Sequence, residues 1–436
     1  MIAACDLPPL RRGAEVIVPA WNCVARVQEH RTDASLLKVE RSSATSVETE
    51  WVVASRQVVV PVRSSPLPDT SNTLHVHTPI TSPNTLGRML STSSGAAVGD
   101  LVFCTPAFGT TLGHSHLQTH CHMCFSKLRG RVVQCADCQL ARYCNRDCMA
   151  AHVLLHEIQC PMLPRLPSIV GDKDLLLLVV AVLAMELAMQ NPHVVLELTS
   201  YVLDDAEEAR QYMATTMALH AMLSSSPSIP AWMTPMHIFD VLRAVRFNAH
   251  PILVDLHTAS LGLGLFPDAA KMINHSCAPN TFPRFNPTTH GLEFRAVTTL
   301  APHALITYSY LDVFGLALLQ PTPARQTLLA TTFHFECQCC RCLDTTRSTH
   351  AALDVDKCLQ DLDAAQTAQT WSLVRERAQD LMHHWTETLQ LAPDYPLMYV
   401  LRAKLMAAAK HEPESSGVAI DYQKTLDRIQ RVCGFI

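Results

Sequence analysis

The residues of this chain best suited to chemistry are its cysteines. Of 17, seven crowd between Cys121 and Cys160, four between Cys337 and Cys342, and six lie elsewhere. In the first block, Cys121 and Cys124, Cys135 and Cys138, Cys144 and Cys148, then His156 and Cys160 supply soft ligands for two tetrahedral zinc sites. A Cys-x-x-Cys knuckle holds two thiolates on one turn, at a span that a zinc ion bridges. So short a block buries too little surface to fold alone, and metal binding must supply much of its folding free energy. Every position is a protein ligand and none is left for water, so this zinc is structural. The second block, Cys337-x-Cys339-x2-Cys342, offers three thiolates and lacks a fourth; Cys340 is out of phase and reads as a bystander.

Between the blocks stand Asn274-His275-Ser276-Cys277-Ala278-Pro279-Asn280 and then Ile306-Thr307-Tyr308-Ser309-Tyr310-Leu311-Asp312. The first cysteine block resembles the MYND zinc module in spacing and order, including Tyr143-Cys144 and the closing His-x3-Cys. Together with the heptad, Tyr310 and the cysteine tail, residues from about 84 to 345 resemble the SET and MYND domain (SMYD) group of protein lysine methyltransferases. The resemblance implies interleaved finger ligands, with Cys121, Cys124, Cys144 and Cys148 on one zinc and Cys135, Cys138, His156 and Cys160 on the other. It also implies that Cys277 completes the Cys337, Cys339 and Cys342 set, giving three zinc ions per chain, the third clamping the tail onto the active site. His152 competes with His156 as a ligand, but His156 has the matching spacing to Cys160.

The same resemblance implies S-adenosylmethionine as cofactor. Asn274 and His275 match positions that contact it, Phe335 an aromatic that packs on its adenine, and Gly87 with Arg88 a loop whose backbone approaches it. Asn248 matches an asparagine lining the cofactor and lysine channel. Tyr310 matches the tyrosine at the point of methyl transfer. A lysine must attack as the neutral amine although its reference pKa is about 10.4, so such a site must desolvate it and align it with the methyl. Three positions and one turn depart from the family pattern: Met89 stands at a second loop glycine, His250 at a usual phenylalanine, Phe333 at a frequent tyrosine, and His303-Ala304-Leu305 at a usual Gly-Glu-Glu turn. Arg325 and Leu329 match the helix that precedes the zinc tail. The implied partners are a protein carrying the target lysine and, through the MYND module, Pro-rich protein segments. The competing reading is a SET and MYND scaffold without turnover, acting as an interaction or co-regulator module.

The elements that must position these residues read as a multidomain α+β chain, a β-rich SET fold interrupted by the finger. In the chain of 436 residues, 48% apolar content suffices for folded cores, and a net charge of -5 does not indicate direct nucleic-acid binding. Residues 11–63 alternate in five short β-rich runs, the last Gln57 to Val62. They suggest an SH3-like barrel resembling Tudor and chromo-barrel domains, with Trp21 and Trp51 as its aromatics. Residues 64–83 read as a linker, 84–120 as the first part of the SET fold, 121–160 as the finger and 161–245 as a helical insertion. The second SET part then spans 246–316, the zinc tail 317–345 and a helical lobe 346–436. Asp172 to Gln190 reads as a buried helix with Asp172 or Asp174 at its start, and helical pattern continues through Pro192 to Leu223. The apolar run Leu175 to Met185 is too short to span a bilayer, which takes about 20 residues, and the N-terminus lacks a signal-peptide pattern. The expected setting is a cytoplasmic or nuclear monomer.

Overall fold

The computed structural model describes residues 15–18, 23–31, 36–42, 47–53, 74–77, 89–92, 94–224, 229–256, 260–311, 316–344, 354–411 and 416–435. Strands Glu15–Val18, Cys23–Arg31, Leu36–Ser42 and Val47–Val53 form an antiparallel meander, each pairing with the next. Among the described residues the first and last strands do not pair, so no barrel is closed. The expected fifth strand, Gln57 to Val62, and Trp21 lie outside the described residues. Leu74–His77, inside the stretch expected as linker, alternates apolar and polar residues and pairs antiparallel with Met89–Thr92.

Three small sheets build the centre. Leu101–Pro106, Gly291–Ala296 and Thr281–Asn286 make one antiparallel sheet. Gly109–Leu112 pairs with Gly262–Leu265, which pairs in turn with Ala249–Pro251. Gly262 is obligatory there, because a Cβ would lie 1.9 Å from the Thr111 carbonyl oxygen. Everything between Leu112 and Gly262, finger and helices alike, is one excursion of the chain between neighbouring strands. The third sheet is a parallel pair, Asn274–His275 beside Thr307–Tyr308.

The excursion packs on helix Lys173–Met189. The Asp172 carboxylate caps it by accepting from the N–H groups of Asp174 and Leu175, and Gln190 ends it in a left-handed conformation. Residues Leu176 through Ala184 are buried without a break, as a helix surrounded by protein on all sides requires. Each such Leu or Val contributes about 1.5–3 kcal/mol. The helical pattern after Pro192 is interrupted: a single turn, His193–Leu196, is separated from Ala206–Leu223 by a segment that ends at Asp205. The Asp205 side chain accepts the Glu208 N–H and so restarts the helix. Helix Pro235–Asn248 follows, capped by Thr234.

The tail helix Thr322–Phe333 leads into the cysteine tail, and the last lobe comprises helices Val355–Thr367, Trp371–His383, Leu397–His411 and Ser416–Val432. A wide turn, His384–Thr388, extends the second of these and buries Trp385. Buried side chains form two cores. One joins finger residues (Cys121, Phe125, Tyr143) to the central helix and sheets; the other joins Cys277, Leu329 and Cys337 to the last lobe. Tyr310 packs against both. No helix among the described residues is long and apolar enough to cross a membrane.

Candidate active site

The cysteine clusters come first, because they hold the rest. Cys121, Cys124, Cys144 and Cys148 bring their sulfurs together, as do Cys135, Cys138, His156 and Cys160, with all ligand atoms in each set within 4.8 Å of one another. A tetrahedral zinc with Zn–S near 2.3 Å sets ligand separations of about 3.8 Å. The observed Cys124–Cys144, Cys144–Cys148 and Cys135–Cys160 separations are 3.7, 3.4 and 3.7 Å, and Cys138 Sγ lies 3.6 Å from His156 Nε2. The donor sets therefore fit zinc. His152 is not a ligand: its Nδ1 meets the Tyr143 hydroxyl at 3.0 Å, and burial pushes its pKa down to about 3.

The third cluster joins Cys277 to Cys337, Cys339 and Cys342 across 60 to 65 residues, with Cys277 Sγ 4.0 Å from Cys337 Sγ and 3.6 Å from Cys342 Sγ. Cys340 is exposed and points to Gln390 instead. Four thiolates on one Zn²⁺ leave a double negative charge, and two buried guanidinium groups offset it. Arg325 donates to Cys342 Sγ at 3.5 Å, and Arg341 donates to the carbonyls of Cys277 and Leu318 at 3.0 and 2.9 Å.

This cluster fixes one strand of a chain crossing. The other is tied by Asn280, whose amide donates to the Leu305 carbonyl at 2.7 Å and whose oxygen accepts the Thr307 N–H at 2.9 Å. The Ser276 N–H adds a bond to the Tyr308 carbonyl. At the centre is His275. Its Nδ1 accepts the Tyr310 N–H at 2.9 Å, so Nε2 carries the hydrogen and donates to Cys277 Sγ at 3.2 Å. Burial pushes its pKa down to about 4, which keeps the ring neutral and the tautomer single. Both ring nitrogens are thus spent inside the protein. The ring cannot hydrogen-bond a cofactor, and only the His275 backbone remains for that contact.

Tyr310 extends from this crossing. Its hydroxyl donates to the Ile273 carbonyl at 2.8 Å, and burial raises its pKa, so it remains a phenol and cannot serve as a base. Around it stands an aromatic wall: Phe333 at 5.3 Å, His275 at 5.4 Å, Tyr308 at 5.0 Å and Phe335 at 6.2 Å between ring centroids. Phe335 is half-buried and 6.0 Å from His275, leaving part of its apolar surface uncovered. Phe247 meets Phe333 at 5.8 Å and carries the wall outward to His334 and Tyr201. Asn248 is buried, and its amide nitrogen is committed to the carbonyls of Thr199 and Ala244, both at 2.7 Å; its oxygen is the side-chain atom left for a ligand. Gly87 and Arg88 lie outside the described residues. Met89 begins a strand whose neighbour Leu90 accepts the Ile306 N–H, so that segment runs beside the strand leading to Tyr310. His303, at the departed turn, has φ +62°, the left-handed conformation that glycine adopts most cheaply.

Sequence reasoning placed Asn274, His275, Cys277, Tyr310 and Phe335 together, and the structure brings these five to one crossing. It did not find Tyr308, Phe247 or the tie made by Asn280. The alternation of Ile306, Tyr308 and Tyr310 along the chain was the available signal for Tyr308.

Comparison with known proteins agrees with this geometry. The family model for the MYND finger matches residues 121–160, and that for the SET domain matches residues 179–311. These are the segments by which the chain is similar to SET and MYND domain proteins. Among its relatives are N-lysine methyltransferase SMYD2-B of Danio rerio, 29% identical over 269 residues, and N-lysine methyltransferase SMYD2 of Bos taurus, 30% identical over 293 residues. These matches cover 60% and 64% of this chain, and 58% and 63% of the relatives. The human SMYD2 is 30% identical over 269 residues, 59% of this chain and 58% of its own. The chain thus matches less than two thirds of the length of these relatives. The excursion between Leu112 and Gly262 carries the residues that match the MYND finger, and Tyr310 lies within the SET match.

Proposed function

We propose that this SET domain transfers methyl groups from S-adenosylmethionine to lysine side chains of proteins, histone or non-histone. One observation carries the reading: Tyr310, neutral and fixed at both its N–H and its hydroxyl, packs between His275 and Phe335, which precedes the cysteine tail. The donor set fits the cofactor. Phe335 offers a half-buried ring for a purine, and the Asn248 oxygen and the backbone of the crossing offer polar contacts. S-adenosylmethionine, when bound, supplies a methyl group on a sulfonium.

The protein's part is to orient and to exclude water. The Tyr310 hydroxyl gives its hydrogen to Ile273, so its oxygen lone pairs remain as acceptors for an amine N–H or a polarised methyl C–H. The wall of Phe333, Phe335 and Tyr308 disfavours a charged ammonium and so lowers the pKa of an entering lysine. In-line alignment accounts for most of the acceleration. The finger docks Pro-rich partner segments in this reading, and the protein works as a monomer in cytoplasm or nucleus.

The test is calorimetry with S-adenosylmethionine on zinc-loaded protein, then methyl transfer to a panel of histones and lysate proteins with Tyr310→Phe as control. Binding followed by Tyr310-dependent transfer supports the reading. Binding without transfer leaves the scaffold alternative, and no binding removes the enzyme.

A further inference from the structure

Behind Tyr310 lies a buried polar pair, His250 and the hydroxyl of the wall residue Tyr308, whose mutual bond the chemistry above does not use. His250 Nδ1 lies 2.9 Å from the Asn248 carbonyl oxygen, which can only accept, so this nitrogen carries the hydrogen. Nε2, 2.8 Å from the Tyr308 hydroxyl, is then an acceptor, and the phenol donates to it. The pair is enclosed by apolar rings. Phe266 meets the imidazole edge-on at 5.7 Å and packs over Gly264, the strand partner of His250, where a Cβ would lie 2.7 Å from the Phe266 ring. Phe294 meets Tyr308 at 5.3 Å. Burial lowers the His250 pKa to about 4, so the ring is a neutral acceptor.

What this pair touches matters most. The Tyr308 ring lies 5.0 Å from Tyr310, and the Tyr308 carbonyl accepts the Ser276 N–H of the crossing. The two tyrosine hydroxyls have separate acceptors, Ile273 for Tyr310 and His250 for Tyr308. The His250 bond therefore orients the ring against which Tyr310 rests, and links the end of helix Pro235–Asn248 to the crossing.

We propose that His250 and Tyr308 are positioning residues for Tyr310, acting through one hydrogen bond that seats the Tyr308 ring as its backstop. The proposal rests on the methyltransferase reading and adds a specific pair to it. A buried donor or acceptor stripped of its partner is costly, whereas removing both partners is close to neutral, so the two residues must be coupled.

The experiment is a double-mutant cycle of His250→Phe, Tyr308→Phe and the double variant in zinc-loaded protein. Each is followed by thermal unfolding, steady-state kinetics and the nitrogen-15 spectrum of histidine at pH 7. The expected result is a fall in kcat of about tenfold in each single variant with little change in KM, and recovery of most of that loss in the double variant. The His250 resonances, assigned by their loss in His250→Phe, should show hydrogen on Nδ1 and none on Nε2. Hydrogen on Nε2, wild-type kcat in both single variants, or losses that simply add in the double variant would overturn the proposal. Failure of the wild type to transfer methyl to any substrate would instead overturn the enzyme reading. The nitrogen-15 spectrum and the unfolding cycle would then still decide the pair, coupled stability upholding the bond and additive stability rejecting it.

Discussion

The MYND-like finger and the long-range cysteine clamp of the SET-like region use the same chemistry at opposite ranges. Finger ligands lie close in sequence and interleave within Cys121–Cys160, whereas the clamp draws Cys277 to a tail that begins at Cys337. The finger nevertheless shares its core with the SET sheets, through Phe125 against Phe285 at 5.3 Å and Tyr143 among the buried residues. The clamp belongs to the other core, with the last lobe. Local zinc therefore folds a module, and long-range zinc shapes the site, because His275 reads Cys277 with one nitrogen and Tyr310 with the other.

The strongest way to break this comparison is Cys277→Ser. Zinc per chain should fall by one while the finger keeps both of its ions, and methyl transfer should drop by about 100-fold or more as the His275–Tyr310 linkage loses its anchor. Metal analysis with a transfer assay reads both; retained transfer with one zinc lost would separate clamp from chemistry. Tyr310→Phe should keep all zinc and lower kcat by about tenfold to 100-fold, since only the hydroxyl and its alignment on Ile273 are lost. Arg325→Met removes a buried donor to Cys342 and leaves only Arg341 to offset the thiolate charge, at a cost of about 1.5–3 kcal/mol. Denaturant unfolding and faster zinc loss to a chelator would reveal it, with finger zinc unaffected.

A smaller effect separates the regions by pH. His250 is held neutral in the fold with a pKa of about 4 against an ordinary 6.5, so the unfolded chain binds the extra proton. This group's contribution to stability is fully present above pH 6.5 and is lost as pH falls toward 4, at up to about 1.4 kcal/mol per pH unit. Unfolding midpoints at pH 7 and pH 5 should converge in His250→Phe relative to wild type. The smallest expected effect is that of Cys138→Ala on cofactor binding: one finger zinc is lost, yet S-adenosylmethionine affinity should stay within about threefold, because the two sites share no side chain. A larger loss by calorimetry would show that the finger supports the site directly.

Legibility in the sequence follows the same division. The finger was readable because its ligands and spacers are contiguous, and the start of the central helix was narrowed to Asp172 or Asp174 because a cap acts within one turn; Asp172 is the cap. The heptad, Tyr310 and Phe335 were readable as a family pattern. What each atom does there was not: that both His275 nitrogens are consumed, or that the Asn248 amide serves Thr199 and Ala244, depends on where distant carbonyls fall. The break between Leu196 and Ala206 was hidden because the apolar pattern continues while Asp205 captures the backbone N–H of Glu208. His250 and Tyr308 are joined only by the three-dimensional crossing, so neither residue alone signalled the other.

The pairing of Gly109–Leu112 with Gly262–Leu265 has a consequence for biosynthesis. The first strand leaves the ribosome roughly 150 residues ahead of its neighbour, and closing so long a loop costs entropy that compaction of the intervening segment reduces. A finger already charged with metal shortens the effective gap, so zinc supply during translation sets how fast a nascent chain acquires its central sheet, and zinc-starved cells should accumulate it in protease-sensitive form.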